Sequence, residues 1–360
     1  MSTDTRHPLI GMTLEDLRRV AAEAGLKPFA AKQMAAWLYG RPVTDIDAMT
    51  DLSKEGRRRL AESYCIGRTA PLTRSVSADG TVKYLFEGTG GMAVEAVYIP
   101  DGERATLCVS SQAGCRMGCT FCMTGRQGFH GNLTPTGIMN QILSVPESER
   151  LTNIVFMGMG EPTDNVEAVM TAIEILTSGW GLAWSPKRIT VSTVGNRAGL
   201  RRLAEQTKVH LAVSVHSPFP DERLRLMPAE RAFPVREVME LLRGYDFAHQ
   251  RRLSVEYILW KGLNDDRRHA DALARLVRGT DARVNLIRYH ALPGSEMQPP
   301  STAVMEAFRD RLNEQGVTAT IRASRGEDIE AACGMLAGQA KNAARTSDNT
   351  DNQSNTDSNA

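Results

Sequence analysis

The chain has 360 residues, of which 42% are hydrophobic and 24% are charged, and its formal net charge is +1. This length and apolar content predict one large domain and one small domain. The near-neutral charge excludes a global basic field, so an RNA-binding surface would have to consist of local basic patches. No run of about 18 apolar residues is present, which excludes a transmembrane helix.

The first hundred residues predict a small domain of two parts. Residues 12–65 carry apolar residues at helical spacing and are predicted to form helices. Residues 69–100 instead contain strand-like runs at 81–87 and 93–99, separated by glycine and Pro-Asp-Gly turn signals. We therefore predict an N-terminal domain over residues 1–100, made of helices followed by a β-ribbon.

From residue 104 onward, strand-like and helical segments alternate. The strand-like runs lie at 105–109, 153–157, 188–192, 209–215, 254–259 and 284–289. The helical stretches lie at about 135–145, 165–177, 196–205, 234–247, 266–278 and 302–314. Strands joined by crossover helices form a parallel sheet. The pattern predicts an α/β fold, a partial (β/α)6 barrel over residues 101–338, with an open doubly wound sheet as the alternative.

The end of the chain has a different composition. Residues 339–360 are rich in Asn, Ser, Thr, Asp and Ala and contain no aromatic or large aliphatic residue. Such a segment cannot bury enough apolar surface to offset the entropy of ordering. We predict a disordered tail over these residues.

Three of the six cysteines form a C-x3-C-x2-C triplet after the first barrel strand: Cys115, Cys119 and Cys122. Three thiolates can hold three irons of a four-iron cluster and leave the fourth iron open, whereas such clusters normally take four Cys ligands. A zinc site would need a fourth ligand, and the nearest candidates, Cys108 and His130, do not form a second ligand pair. We favour a cluster that binds a small molecule at its open iron. A zinc-stabilised RNA-binding module is the non-enzymatic alternative.

Other candidate functional loops follow the next three strands. They read Gly158-Met-Gly-Glu-Pro, Ser192-Thr-Val-Gly and Ser214-Val-His-Ser. In barrels of this type the active site lies at the C-terminal ends of the strands. We therefore expect these loops to converge with the cysteine triplet.

Several segments together carry a resemblance to a known family. They are Ser110-Ser-Gln-Ala-Gly-Cys-Arg-Met-Gly-Cys-Thr-Phe-Cys, Met157-Gly-Met-Gly-Glu-Pro, Arg225-Leu-Met-Pro and Arg325-Gly-Glu-Asp-Ile-Glu-Ala-Ala-Cys-Gly. On these segments the chain, from about residue 27 to 338, resembles the RlmN/Cfr family of radical S-adenosylmethionine (radical-SAM) RNA methyltransferases, with greater similarity to the RlmN branch. The cysteine triplet alone would indicate only a radical-SAM enzyme. The Ala-Ala-Cys-Gly segment and a cysteine seven residues before the triplet are more specific.

The resemblance implies an activity, cofactors and partners. RlmN-type enzymes methylate C2 of an adenine in 23S ribosomal RNA, and some also methylate an adenine in tRNA, whereas Cfr-type enzymes methylate C8 of the same ribosomal adenine. The implied cofactors are one 4Fe–4S cluster and two molecules of S-adenosylmethionine per turnover. The implied partners are the RNA and an external electron donor such as flavodoxin. Residues 1–10 lack the apolar core of a signal peptide, and we expect a monomer in the cytoplasm.

The family chemistry needs two thiols outside the cluster. An aromatic C–H carbon of adenine is not nucleophilic, so one cysteine is first methylated. A 5′-deoxyadenosyl radical then activates that methyl group for addition to the ring. A base removes the ring proton, and a second thiol releases the product by forming a transient disulfide. The resemblance makes Cys333 the methyl carrier, Cys108 the resolving thiol and Glu95 the proton acceptor, with Cys108 as the alternative acceptor.

The resemblance also implies a set of cofactor-binding residues. Gly160 and Glu161 match positions that recognise the amino group of the methionine moiety. The positions that contact its carboxylate and the ribose are Ser192, Ser214, Val215 and His216. His290 departs from the family pattern, because it occupies a position where the family has Asn; its imidazole can still form hydrogen bonds.

One expectation concerns the substrate. RNA contacts are predicted at local basic residues of the N-terminal domain, namely Lys27, Lys32 and Arg57–Arg59.

A radical-SAM enzyme of a different kind is a further alternative function for this chain, and its reaction would need neither Cys108 nor Cys333.

Overall fold

A computed structural model describes residues 5–249 and 251–337. The predicted disordered tail, residues 339–360, lies outside these residues. Within the described part of the chain, no helix is long and apolar enough to cross a membrane.

The N-terminal domain is helical, as predicted. Its elements are β1 (His7–Pro8), α1 (Leu14–Glu23), α2 (Ala30–Gly40), a 3₁₀ helix (Ile46–Ala48), α3 (Lys54–Ser63) and β2 (Tyr64–Cys65). A capping box starts α1: the Thr13 hydroxyl accepts the Asp16 N–H at 3.2 Å, and the Asp16 carboxylate accepts the Thr13 N–H at 2.9 Å. The buried side of α1 then packs into the core through the apolar positions that the spacing predicted.

The predicted ribbon has three strands and joins the barrel directly. Its strands are β3 (Thr73–Val76), β4 (Val82–Glu87) and β5 (Ala93–Asp101), all antiparallel. β5 also pairs antiparallel with β6 (Arg104–Cys108), the first barrel strand. Ribbon and barrel therefore share one sheet, and the predicted domain boundary at residue 100 falls inside β5.

The rest of the chain alternates between strands and helices. The elements are β7 (Gln112–Gly114), α4 (Met123–Arg126), β8 (Phe129–Asn132), α5 (Pro135–Ser144), β9 (Asn153–Phe156), α6 (Val166–Thr177), β10 (Ile189–Thr193), α7 (Arg197–Gln206), β11 (His210–Ser214), α8 (Pro220–Leu226), α9 (Val235–Arg243), β12 (Leu253–Leu259), α10 (Arg267–Val277), β13 (Arg283–Arg288), α11 (Thr302–Glu314) and β14 (Ala319–Ile321). Five further 3₁₀ helices lie at Ser148–Arg150, Pro162–Asn165, Pro186–Arg188, Pro228–Arg231 and Glu327–Ile329.

The strand order decides between the two predicted sheet types. The ten-stranded sheet runs β14-β13-β12-β11-β10-β9-β6-β5-β4-β3, and all pairs from β6 to β14 are parallel. A doubly wound sheet reverses its strand order at a switch point. This sheet does not reverse, so the partial barrel is confirmed and the doubly wound alternative is wrong.

Two details of the barrel differ from the prediction. A seventh parallel strand, β14, follows the sixth unit; three residues are too few to show a strand pattern in the sequence. The helix predicted at 234–247 ends at Arg243, where Gly244 forms the C-cap. Neither difference moves the loops that carry the candidate site residues.

The two faces of the sheet have different roles. On the outer face, apolar side chains of the barrel strands such as Leu107, Val191, Leu211 and Val255 are completely buried beneath the helices. On the inner face the strands carry polar residues. Because side chains alternate along a strand and directly paired residues share a face, the register determines which polar residues meet there.

Candidate functional site

The strand register brings four predicted site residues to the inner face of the sheet. Cys108 on β6 pairs with Val97, two residues from Glu95 on β5. Ser192 on β10 pairs with Ala212 on β11, two residues from Ser214. Residues two apart on a strand share a face. Glu95, Cys108, Ser192 and Ser214 therefore all lie on the inner face, where a barrel active site is expected.

The cysteine triplet lies in the loop between β7 and α4, held by backbone hydrogen bonds. The Cys115 N–H donates to Gly128 O at 2.8 Å, and the Thr120 N–H donates to Leu226 O at 3.0 Å. Gly118, between the ligands, has a φ of 63°, a left-handed conformation that glycine adopts without strain. The loop is thus folded around its three thiols by contacts with neighbouring loops.

The candidate metal ligands of this loop are the three thiols of Cys115, Cys119 and Cys122. Among residues 5–249 and 251–337, no three His, Cys, Asp or Glu side chains converge as ligands of one metal ion. A zinc site would place three or four ligand atoms about 2.0–2.3 Å from one ion. The Cys ligands of a four-iron cluster instead bind different irons and lie farther apart. Three thiols that each bind a different iron need not converge on one point, so this arrangement is compatible with a cluster.

The electrostatics of the loop also suit a bound cationic group. Burial raises the pKa of Cys115 to about 12, and burial raises the pKa of Cys119 still further. Repulsion from Glu161 and Cys122 further raises the pKa of Cys115, and repulsion from Cys122 and Cys115 further raises the pKa of Cys119. Metal ligands must be thiolates, so iron would have to stabilise these charges.

The segment that carries Cys333 is bonded to both the cysteine loop and the ribbon. The Met123 N–H donates to Gly334 O at 2.8 Å, and the Thr124 hydroxyl donates to Leu336 O at 2.7 Å. Three residues beyond Gly334, the Ala337 N–H donates to the Glu95 carboxylate at 2.8 Å. Residues 334–337, which directly follow Cys333, therefore connect the loop of the cysteine triplet to the candidate base, although they are far from both in sequence.

Cys333 affects the pKa of Cys108. Burial raises the pKa of Cys108 to about 12, and repulsion from the Cys333 thiolate is the next largest cause of this increase. Cys333 is exposed to solvent, yet protein surrounds it closely enough that desolvation raises its pKa, followed by repulsion from Glu256. Both cysteines are free thiols. This is the pairing that a methyl carrier and a resolving thiol would need.

Glu95 is buried, and each of its carboxylate oxygens has a partner. Oε1 lies 3.3 Å from Lys83 Nζ, and Oε2 accepts the Ala337 N–H. Burial raises the pKa of Glu95, and Lys83 opposes that shift. A carboxylate whose pKa is raised in this way is closer to the range that general-base catalysis requires.

The loop after β9 has a structural explanation besides ligand binding. Gly160 has a φ of 99°, and a Cβ there would lie 2.5 Å from the Gln112 side chain. Glu161 is buried; its carboxylate accepts the Thr163 N–H at 3.1 Å and the Val194 N–H at 2.9 Å. Burial raises its pKa and these hydrogen bonds oppose the shift. Carboxylate oxygens have further lone pairs, so a ligand ammonium could still bind Glu161.

His216 joins the cysteine loop to the barrel through aromatic contacts. Its ring lies edge-on to Phe121, with centroids 4.8 Å apart, and Phe121 in turn contacts Trp260. Its Nδ1 accepts the Ile258 N–H at 3.0 Å, which leaves Nε2 as the protonated nitrogen. Burial lowers the pKa of His216 to about 3, so the ring is neutral at physiological pH. Val215 beside it is completely buried.

His290, predicted near the adenosine, lies against the segment that leads to Cys333. Its Nδ1 is 3.1 Å from Glu327 Oε1, and its Nε2 is 3.3 Å from Ser324 Oγ. The ring is therefore engaged with protein groups on both nitrogens. A role in cofactor binding would require it to exchange one of these partners.

Two residues that the sequence analysis did not identify hold the loops of the candidate site together. Arg223 is completely buried and donates to the carbonyl oxygens of Val194, Ser214 and Val215, while forming an ion pair with Glu230. It thereby ties together the loops after β10 and β11. The Arg225-Leu-Met-Pro motif adjoins this residue, but no local pattern identifies Arg223 itself.

Ser110 is the second such residue, and it ties the ribbon to the loop after β9. Its hydroxyl donates to the backbone oxygen of Glu95 at 2.6 Å and accepts the Met159 N–H at 2.8 Å. It belongs to a quoted motif, yet its partners are determined by the tertiary fold.

The predicted basic patch is only partly available for RNA. Arg58 and Arg59 form ion pairs with Glu55, and Arg57 donates to the backbone oxygen of Asp47. Lys27 and Lys32 are exposed. The lysines are therefore the better candidates for phosphate contacts.

Comparison with known families gives two matches to this chain. Residues 109–273 match the Radical SAM superfamily, and residues 7–66 match the ribosomal RNA large subunit methyltransferase N-terminal domain. The two matches cover the barrel and the helical domain separately.

Individual relatives match across both parts. A probable dual-specificity RNA methyltransferase RlmN from Parabacteroides distasonis is 58% identical, over 92% of this chain and 96% of its own length. The dual-specificity RNA methyltransferase RlmN from Syntrophotalea carbinolica is 41% identical, over 94% of this chain and 92% of its own. A crystal structure of a radical SAM methyltransferase from Sphaerobacter thermophilus superposes with a TM-score of 0.85 at 39% identity, over 92% of this chain and 99% of that one.

Proposed function

The chain belongs to the RlmN family of radical-SAM methyltransferases, and from this premise we propose that it methylates C2 of an adenine in 23S ribosomal RNA through an S-methylcysteine at Cys333. Transfer RNA is a second proposed substrate, because the relatives are described as having dual specificity. The cofactors that this family uses, a 4Fe–4S cluster and S-adenosylmethionine, fit the triplet Cys115, Cys119 and Cys122.

One observation carries the proposal. The Cys333 segment is hydrogen-bonded to α4 beside the cysteine triplet on one side and to Glu95 on the other. Cys333 itself raises the pKa of Cys108 by repulsion. A methyl carrier must reach the radical source, the base and the resolving thiol in one cycle, and this segment adjoins all three groups.

When bound, the cluster and S-adenosylmethionine supply a 5′-deoxyadenosyl radical. In our proposal Gly160 and Glu161 hold the amino group of the methionine moiety, where the buried carboxylate pairs with an ammonium. Ser192, Ser214, Val215 and His216 line the neighbouring strand ends and contact the carboxylate and ribose. The neutral Nε2–H of His216 is a donor for this purpose. His290 is a weaker contact because both ring nitrogens already have partners.

The S-methyl carbon of Cys333, after giving a hydrogen atom to the 5′-deoxyadenosyl radical, would bond to the ring carbon as a methylene. Glu95 would then take the ring proton, and the adduct would return one electron to the cluster. Glu95 suits this role because burial raises its pKa toward the range of a general base, while Lys83 opposes that shift. Cys108 is less suited as the base, since burial raises its pKa to about 12. Its role is to bond with the Cys333 sulfur and form a disulfide. The sulfur–methylene bond breaks, its electron pair stays on carbon, and the proton released from the Cys108 thiol completes the methyl group of the product. An external thiol then reduces the disulfide.

Two partners complete the proposal. An external one-electron donor such as flavodoxin reduces the cluster, and the target adenine leaves its stack to reach Cys333. We propose a monomer that acts in the cytoplasm.

Reconstituted protein, reductant, S-adenosylmethionine and unmodified 23S RNA, followed by nucleoside mass spectrometry, test this function. We expect 2-methyladenosine from the wild-type protein and none from Cys333→Ala. Cys65→Ala is the matched control, because Cys65 lies in β2 far from the inner face, and it should give full product. Formation of 8-methyladenosine would show that the enzyme methylates C8 and not C2. Formation of 5′-deoxyadenosine without methylated RNA would contradict an RNA substrate.

A further inference from the structure

A cavity of about 420 Å³ lies on the ribbon, outside the barrel. Its floor is formed by β3 and β4, with Glu95 of β5 at one wall, and its cover is the segment 328–330. Cavities of this size commonly hold small ligands or single ligand groups. None of the cofactor roles proposed above uses it.

The polar groups of the cavity are only partly used by the protein. Lys83 Nζ lies 3.3 Å from Glu95 Oε1 and 3.3 Å from Glu330 O, so one of its three N–H donors remains. Thr73 and Ser75 line the cavity and are exposed, so their hydroxyls are accessible to a ligand. The cavity therefore offers free donors and acceptors to a ligand.

The cover of the cavity is held firmly in place. The Asp328 carboxylate accepts the Ser77 hydroxyl at 2.6 Å and the Ala78 N–H at 3.1 Å. Glu330 has a φ of 54°, an uncommon conformation for a residue with a Cβ, and Lys83 donates to its backbone oxygen. These contacts form a built site and not a gap between loosely packed segments.

The charges indicate what the cavity binds. The lining includes three acidic residues, Glu95, Asp328 and Glu330, and one basic residue, Lys83. This balance disfavours a phosphate. Carboxylates accept hydrogen bonds from the exocyclic amino groups of bases, as an acidic side chain does from cytosine. A nucleobase with an amino group fits the lining better than uracil, which lacks one.

The position of the cavity indicates which nucleotide it takes. Ser75, Lys83 and Glu95 share the inner face of the sheet with Cys108, but β4 is two strands away from β6. Adjacent strands are about 4.8 Å apart, so the cavity lies roughly 10 Å from the resolving thiol. Glu95 stands between the two locations. A target base in contact with Cys333 and Glu95 would leave the cavity to its neighbour in the RNA chain.

We propose that this cavity binds the unpaired nucleotide adjacent to the target adenine and recognises its base through an exocyclic amino group. The proposal rests on the proposed function for its substrate. In this proposal the side chains of Thr73, Ser75 and Lys83 contact the RNA and determine its sequence specificity.

Filling the cavity tests this proposal. Ser75→Phe is compared with Val76→Phe, which places the same ring on the opposite face of β3. The readout is the Kd for an RNA hairpin that contains the target adenine, measured by fluorescence anisotropy at one fixed salt concentration. We expect Ser75→Phe to bind about tenfold more weakly, near the low end of one base contact, while Val76→Phe binds like the wild type. Thr73→Phe fills the same cavity from a second position.

RNA variants then identify the nucleotide. An abasic site at one flanking position should weaken binding to the wild type and have no further effect on Ser75→Phe. Uracil at that position should bind more weakly than cytosine. Equal affinities for Ser75→Phe, Thr73→Phe and Val76→Phe would overturn the proposal.

Failure of the proposed function is distinguishable from failure of this inference. It would show as a wild-type protein that methylates no RNA. The cavity is judged by RNA affinity alone, and methylation of Cys333, which needs no RNA, should be equal in all three phenylalanine variants.

Discussion

The cysteine loop and the Glu95–Cys108–Cys333 site are built in different ways. The three cluster thiols lie within residues 115–122, on one loop whose spacing is written into the sequence. The other three residues come from β5, β6 and the C-terminal segment, and hydrogen bonds bring them together. The spacing of the first three thiols is set by the local sequence, although tertiary hydrogen bonds such as that from Thr120 to Leu226 hold the loop; the second set is brought together by tertiary contacts alone. Changes in the first should therefore remove the cofactor, whereas changes in the second should separate individual steps.

The largest effect is expected in the cysteine loop. Cys119→Ala should lose the cluster, and with it both cleavage of S-adenosylmethionine and RNA methylation, because a cluster held by two thiols has two open irons. Iron and sulfide content after anaerobic reconstitution measures this directly. Cys65→Ala should load iron as the wild type does. A full cluster in the Cys119→Ala protein would contradict the proposed role of this loop.

An intermediate effect is expected at Glu95. Glu95→Gln should keep the cluster and the methylation of Cys333 but slow RNA methylation by roughly 10²–10⁴-fold, the range that a general base contributes. Protein covalently attached to RNA should accumulate, since the ring proton stays in place. Denaturing gels and nucleoside mass spectrometry measure both effects. Normal turnover by this variant would favour Cys108 as the base.

The pH dependence sharpens the same point. Burial raises the pKa of Glu95, and a base must be deprotonated to act, so activity should fall as the pH decreases through that raised pKa. Lys83 opposes the shift, so Lys83→Met should move the acidic limb of the rate profile to higher pH. The Glu330 carboxylate instead raises the pKa of Glu95, so Glu330→Gln should move the acidic limb to lower pH. An unchanged limb in both variants would exclude Glu95 as the titrating group.

The smallest effect is expected far from both regions. Thr13→Ala removes the capping box of α1 and should reduce the free energy of unfolding by about 1 kcal/mol, without affecting iron content or turnover. Chemical denaturation measures the loss, and Thr13→Ser should restore most of it. A change in turnover would mean that the helical domain is coupled to the site more tightly than its contacts indicate.

Much of the fold could be predicted because its signals are local. Helical spacing identified α1, and the alternation of strands and helices gave six parallel strands. β14 could not be recognised, since three residues carry too little pattern. The join between β5 and β6 was also missed: a hairpin turn at 101–104 reads the same whether its strands close a separate ribbon or extend a larger sheet.

The candidate site divides along the same line. The sequence by itself predicted the cluster loop, because three candidate ligands at short spacing can be recognised without any other part of the chain. It could name Cys333, Cys108 and Glu95 only through family resemblance. The tertiary structure alone decided that the Ala337 N–H reaches Glu95, that Lys83 pairs with it, and that Arg223 ties two active-site loops together. The physical reason is that these contacts join residues far apart in sequence, and only the strand register and the return of the C-terminal segment place them within hydrogen-bonding distance.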